Sequence, residues 1–276
     1  TYTVKVLSFE YMPLCFSDNK TLLEVIKPIP DLGDALAYDF SQLFSGCEKL
    51  ERVPEGLFAN NIDATDFTNC FYSCSRLKEI PEGLFANNIN ATSFSGCFSG
   101  CMSLKEIPEG LFDNNINVTD FSSCFHSCIN LEKIPEGLFD NNINVITFAR
   151  CFTNCRKLTE IPAGLFKNNI NVTDFCVCFY GWENLKEIPK GLFDNNINAT
   201  DFSYCFGSCR SLTKIPEGLF DNNINVTNFE GCFRLCDNLT GLAPALWLRS
   251  DLTGYTKCFY MCTKLDNYYD IPSDWK

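Results

Sequence analysis

A 27-residue unit recurs along most of this chain, and no other property narrows its possible folds as far. Written from its first cysteine, the unit reads C-F-x-x-C-x-x-L-x-x-I-P-x-G-L-F-x-N-N-I-N-V-T-D-F-S-x, seen cleanly from Cys97 to Ser123. The first cysteine recurs at Cys70, Cys97, Cys124, Cys151, Cys178, Cys205 and Cys232, and the second at Cys47, Cys74, Cys101, Cys128, Cys155, Cys209 and Cys236. Leu43 and Trp182 interrupt the two series, and the closing unit slips by one residue to Cys258 and Cys262. A unit this short cannot bury its apolar face alone, so copies must stack, each on its neighbours. The expectation is one quasi-one-dimensional solenoid, with a non-repeating N-terminal cap over 1–36, repeats over 37–265 and a tail or further segment over 266–276.

Treating the units as replicates assigns a task to each position. Asp39, Asp66, Ser93, Asp120, Thr147, Asp174, Asp201 and Asn228 form a column of side chains that accept a hydrogen bond from free backbone N–H groups, as a helix N-cap does. Phe121, Cys124, Phe125 and Cys128 follow at i, i+3, i+4 and i+7, the stripe of a helix of about two turns. Leu131 and Ile134 bracket Glu132 and Lys133 in a stretch expected to be a short strand, charges outward. Pro135 and Gly137 suit positions i+1 and i+3 of a type I turn. Leu138 and Phe139 then return to the core, Asn141 and Asn142 can satisfy turn backbone or ladder between coils, and Ile143 and Val145 are expected to complete the inner wall.

The run from the second cysteine through L-x-x-I-P-x-G-L-F to the next F-x-x-C resembles the leucine-rich repeats of BspA-type bacterial surface proteins, with their Phe-x-x-Cys-x-x-Leu core at Phe98 to Leu104 and Phe125 to Leu131. The resemblance covers roughly Ala37 to Leu265. The fold class is therefore expected to be an α/β solenoid, leucine-rich-repeat-like, of about nine 27-residue coils, each with a short strand and a short helix. The resemblance implies a surface-exposed or secreted protein that binds proteins or glycans, and it supplies no catalytic residues. Two cysteines per unit and the slightly longer period depart from that family's pattern.

Composition sets limits on function. A net charge of −12 opposes binding to nucleic-acid backbone, and no apolar run approaches a membrane span, so no insertion by this segment is expected. The chain shows no leader, though one that has been removed would leave no trace. Cofactors are not implied. Eighteen cysteines invite a disulfide reading, but where Leu43 or Trp182 stands in for one cysteine its companion, Cys47 or Cys178, remains. Each column therefore reads as a buried apolar slot filled by a free thiol. Cys15 and Cys176 fall outside both columns and are the better candidates for pairing or reactivity. Zinc wants converging ligands, and one histidine with no C-x-x-C gives no metal site.

The Asn-x-Thr matches at Asn90, Asn117, Asn171, Asn198 and Asn225 read as turn chemistry rather than as glycan acceptors. His126 is the sole histidine and lacks the orienting partner that a Cys-His nucleophile needs, so no catalytic residue is assigned. Against a nearly constant framework, two columns vary freely. One runs Tyr72, Ser99, His126, Thr153, Tyr180, Gly207 and Arg234, and the other Ser75, Met102, Ile129, Arg156, Glu183, Arg210 and Asp237. A variable ridge between helix and strand is where ligand specificity would be written. Tyr72, His126, Arg156, Tyr180, Arg210 and Arg234 are the candidate contacts for a protein or glycan ligand. A structural spacer or assembly domain fits the same repeats, and an enzyme is the remote alternative.

Overall fold

The computed structural model describes residues 16–32 and 39–276. Parallel β-bridges join Asp39 to Asp66, Asp66 to Ser93, and so on at one coil per step through Asp120, Thr147, Asp174, Asp201 and Asn228 to Gly254. The last step is one residue shorter, as the slipped cysteines foretell. The chain is thus a solenoid of stacked 27-residue coils. The bridging segment is the expected cap column, held on one side by Thr119 N–H donating to Thr92 O (2.9 Å) and on the other by Phe94 N–H donating to Asp120 O (3.0 Å). The stretch expected to be the strand is extended but carries little of the ladder: Glu132 N–H donates to Lys105 O at 2.9 Å. Leu131 and Ile134 are buried and Glu132 and Lys133 exposed, as expected.

The two-turn helix is not formed. Phe121, Cys124, Phe125 and Cys128 are fully buried, so the stripe is correct, but the backbone between them is a run of overlapping turns. Cys124 N–H donates to Phe121 O, His126 to Ser123 and Cys128 to Phe125. The alternate N–H groups of Phe121, Ser123, Phe125 and Ser127 point along the solenoid axis and donate to Thr147, Ala149, Cys151 and Thr153 of the next coil. An α-helix would direct every N–H to its own i−4 carbonyl; here half of them join neighbouring coils. Ser123 and Ser127 hold φ of +55° and +58°, at the third position of type II-like turns. The expected caps do accept N–H groups, from the residue two ahead: Ser122 N–H donates to Asp120 Oδ1 at 2.7 Å and Ala149 N–H to Thr147 Oγ1 at 3.0 Å. These are side-chain-closed turns, not helix starts.

Turns make up the rest of the coil too. Pro162 O accepts from Leu165 N–H with Gly164 at φ +76°. Proline therefore stands at the first position and glycine at the third, a type II arrangement in place of the expected type I.

Three columns of phenyl rings run through the core. Phe98 stacks on Phe125 (5.6 Å), Phe121 on Phe148 (5.9 Å) and Phe112 on Phe139 (6.2 Å), while tilted contacts such as Phe112 to Phe121 (4.8 Å) lock the columns together. Offset and edge-on rings avoid the repulsion of facing π clouds. Beside them runs a buried asparagine ladder. Asn142 Nδ2 donates to Phe112 O (3.0 Å) and Asn115 O (2.9 Å), so one amide gives a second donor to two carbonyls that each already accept a turn N–H, from Asn115 and Val118. Asn141 and Asn144, more exposed, donate to Asp113 O and Ile116 O in the same manner, and the Asn-x-Thr asparagines share the second of these tasks. Ile143 corrects the expectation for the inner wall. It occupies the second position of the turn closed by Val145 N–H donating to Asn142 O and is 52% exposed, whereas Val145 is buried.

Each cysteine from Cys70 to Cys262 is a free thiol, and both columns are buried. The second column, however, is more than an apolar slot. Cys128 Sγ donates to Phe98 O (3.2 Å) and Cys155 Sγ to Phe125 O (3.1 Å); in the coil that lacks the thiol, Trp182 Nε1 donates to Phe152 O at 2.7 Å. The position selects a buried donor, and tryptophan qualifies. Cys15 lies outside the described residues.

The ends are closed by different chemistry. Residues 16–32, within the expected N-terminal cap, already stack in register: Phe16 lies on Phe44 (5.3 Å) and Glu24 bridges Arg52. At the other end Arg249 donates through Nη1 to Asn223 O and through Nη2 to Phe220 O, the two carbonyls that a further ladder asparagine would take. Single 3₁₀ turns at Tyr268–Asp270 and Ser273–Trp275 follow. Lys257 and Phe259 N–H donate to Asp274 O and Trp275 O, and the Trp275 indole covers Phe259.

Candidate functional site

The overlapping turns present one face of the coil to solvent, and their geometry is unusual. Two columns on it sit in left-handed backbone. One runs Gln42, Asn69, Gly96, Ser123, Arg150, Val177, Tyr204, Gly231 and Lys257; the other runs Gly46, Ser73, Gly100, Ser127, Asn154, Gly181, Ser208, Leu235 and Met261. Glycine and asparagine suit these angles. Val177 at φ +59°, Tyr204 at +53° and Leu235 at +62° do not, since a branched or bulky side chain there crowds its own backbone.

Four of the six candidate contacts lie on this face. Tyr72 is 44% exposed. His126 is half-buried, with Nδ1 3.4 Å from Ser99 Oγ; burial, then the nearby Arg150 charge, hold its pKa below the usual histidine value, so the ring is neutral at pH 7. The Tyr180 ring lies against Gly207, where an added Cβ would come within 2.8 Å of it. Arg234 places its guanidinium 5.3 Å from the centre of the Tyr260 ring, within cation–π range. Arg156 and Arg210 lie on the adjoining column, exposed, 3.8 Å from Glu183 and 4.0 Å from Asp237, pairs that contribute little in water. Among the described residues no hydrogen bond, ion pair or ring contact joins any two of the six.

The turn face contains residues that the helical reading hid. Tyr204 lies over Gly231, and its hydroxyl donates to Glu230 Oε1 at 2.9 Å; burial and then that bond raise its pKa above the usual phenol value, so it stays a donor. Arg150 and Val177 belong to the same column. The signal was present in the sequence: the residue two after each Asp-Phe phenylalanine varies as freely as the one after Cys-Phe.

Elsewhere, an open groove of about 770 Å³ runs over the extended segments of neighbouring coils, lined by Lys78, Glu79, Glu82, Lys105, Glu106 and Glu109 among others. Its charges are of both signs and solvated. Among the described residues no three His, Cys, Asp or Glu side chains converge as metal ligands, and no helix is long and apolar enough to cross a membrane.

The chain matches no protein-family model and no curated protein. Among solved structures it is similar to the leucine-rich repeat domain of APL1, at 17% identity over 50% of this chain and 35% of that one, with a TM-score of 0.36. It is also similar to a leucine-rich cell surface protein from Faecalibacterium prausnitzii, at 18% identity over 89% of this chain and 78% of that one, TM-score 0.30. A leucine-rich repeat protein from Bacteroides ovatus gives 17% identity over 95% and 84%, TM-score 0.24. The chain spans about a third of the first of these, and identities this low give no residue-by-residue correspondence.

Proposed function

We propose that this chain is a non-catalytic recognition module, surface-exposed or secreted as its resemblance to BspA-type repeats implies, that holds a protein or glycan ligand against its turn face. The observation that carries this reading is the non-glycine residues in left-handed backbone. Each costs roughly 1–2 kcal/mol relative to a relaxed conformation, and such strain concentrates where a binding surface needs a particular side chain. The coils at Gly96 and Gly181 take the same angles with glycine, so the fold itself does not ask for Arg150, Val177, Tyr204 or Leu235. Tyr72, His126, Tyr180 and Arg234 stand on the same face, with Arg156 and Arg210 at its margin.

The test is binding of the purified chain to an array of glycans and extracellular-matrix proteins, beside the Tyr72→Ser, Arg156→Ser, Tyr180→Ser variant. Saturable binding by the parent and its loss in a variant that melts at the same temperature is the expected result. Equal binding by both, or no binding by a folded parent, overturns the reading.

A further inference from the structure

A second face has the opposite character. At the turn closed by Asn115 O and Val118 N–H, seven successive coils place an isoleucine outward: Ile62 and its counterparts at each 27-residue step are 51–55% exposed as far as Ile197, and Ile224, beyond which the column holds no further isoleucine, is 79% exposed. Its neighbours have structural reasons to be constant. Asn114 and Asn117 donate to Ala86 O and Ile89 O of the preceding coil, and Thr119 Oγ1 donates to Thr92 O. The isoleucine side chain bonds nothing, and a turn's second position favours proline. Packing of the covered half would accept valine or leucine equally. The buried column two residues on does vary, between Ala91 and Val118. An exposed column that is more uniform than a buried one is not explained by packing within the chain.

Charge sets this edge apart as well. In a protein of net charge −12, the six-residue segments of the six coils from Asn87–Thr92 to Asn222–Thr227 contain no ionisable side chain, whereas the segment around Ile62 holds Asp63. We propose that this isoleucine edge is a self-pairing surface, on which two copies of the chain associate through interdigitating isoleucines. A periodic ridge is complemented by a ridge of the same period, and a second copy supplies one. Side chains at strand spacing mesh in this way where identical surfaces meet dry, and the uncharged strip is where two strongly acidic chains can approach with least repulsion. The strip is about 30 Å long and about 15 Å wide by strand dimensions, so two copies would cover roughly 900 Å², near the lower bound for a specific contact. The pairing is accordingly weak and concentration-dependent.

Sedimentation velocity over a range of protein concentrations, at low and high salt, tests the proposal. The parent chain is expected to pass from monomer to dimer as concentration rises, and at lower concentration in high salt, because salt screens the repulsion between acidic copies. The triple variant Ile116→Lys, Ile143→Lys, Ile170→Lys is expected to remain monomeric with an unchanged circular dichroism spectrum. The single Ile143→Lys variant serves if the triple one fails to fold. A parent that stays monomeric to its solubility limit overturns the proposal, as does a dimer that persists in the lysine variants. A monomeric parent retained on a crystalline polysaccharide through these isoleucines would overturn self-pairing and assign the edge to a periodic polymer. The turn-face substitutions tested above leave this edge intact, so the two surfaces succeed or fail separately.

Discussion

Trp182 stands where the neighbouring coils have Cys155 and Cys209, and its indole reaches the carbonyl that a thiol would have reached. Replacing it with phenylalanine keeps an aromatic ring but removes one of the two donors to Phe152 O, leaving the turn N–H of Cys155. A loss of about 0.5–1.5 kcal/mol is expected, measurable by urea denaturation. The thiols around it are held protonated: burial pushes Cys128 and Cys209 up to about 12. In native protein at pH 8, Cys176, the half-buried thiol outside the columns, is expected to react first among the described cysteines. A thiol-reagent time course with peptide mapping checks this; equal reactivity of Cys124 would contradict it. His126 contributes a pH dependence of definite sign. Its folded pKa lies below the ordinary 6.5, so the unfolded chain binds the proton more readily, and stability rises with pH between the folded value and about 6.5. Acidification through that window costs stability that His126→Gln should no longer lose, as melts across pH 5–8 would show by reference to about 6.5 as the unperturbed value.

At the scale of the coil, one backbone solution repeats: overlapping turns close the chain, and alternate N–H groups bond to the next coil. The left-handed columns are required by that alternation, whichever side chain they carry. Val177→Gly removes a β-branched side chain from left-handed backbone, and the relief of roughly 1–2 kcal/mol exceeds the entropy that a glycine costs. A higher melting temperature is expected, together with weaker binding on the array. A gain in stability with binding unchanged would detach Val177 from the recognition face.

Across the whole molecule, stability is a sum over interfaces between coils, so the ends matter more than in a globular core. Arg249 closes the asparagine ladder by satisfying Phe220 O and Asn223 O, with its guanidinium 5.2 Å from the centre of the Phe229 ring. Arg249→Ala is expected to cost about 1–3 kcal/mol, two carbonyls each losing a charged donor while keeping the turn N–H of Asn223 or Val226. The loss should appear first as faster amide exchange in the coils nearest that end, rather than evenly along the chain. Uniform exchange would show that the array unfolds as a single unit.

The repeat by itself determined the coil length, the stacking, the buried Phe and Cys columns, the outward charges at Glu132 and Lys133 and the acceptor chemistry of the Asp120 column. These follow from what each side chain can bury or accept, whatever the backbone does. Tertiary structure decided where the backbone N–H groups go. A spacing of three and four residues is shared by a helix and by a chain of turns, and only the adjacent coil, offering carbonyls one step away, selects turns. The same decision placed Ile143 outside and Val145 inside, and put Arg150, Val177 and Tyr204 on the surface with Tyr72, His126, Tyr180 and Arg234. Side-chain direction depends on the sign of φ, and that sign is set by the neighbouring coil.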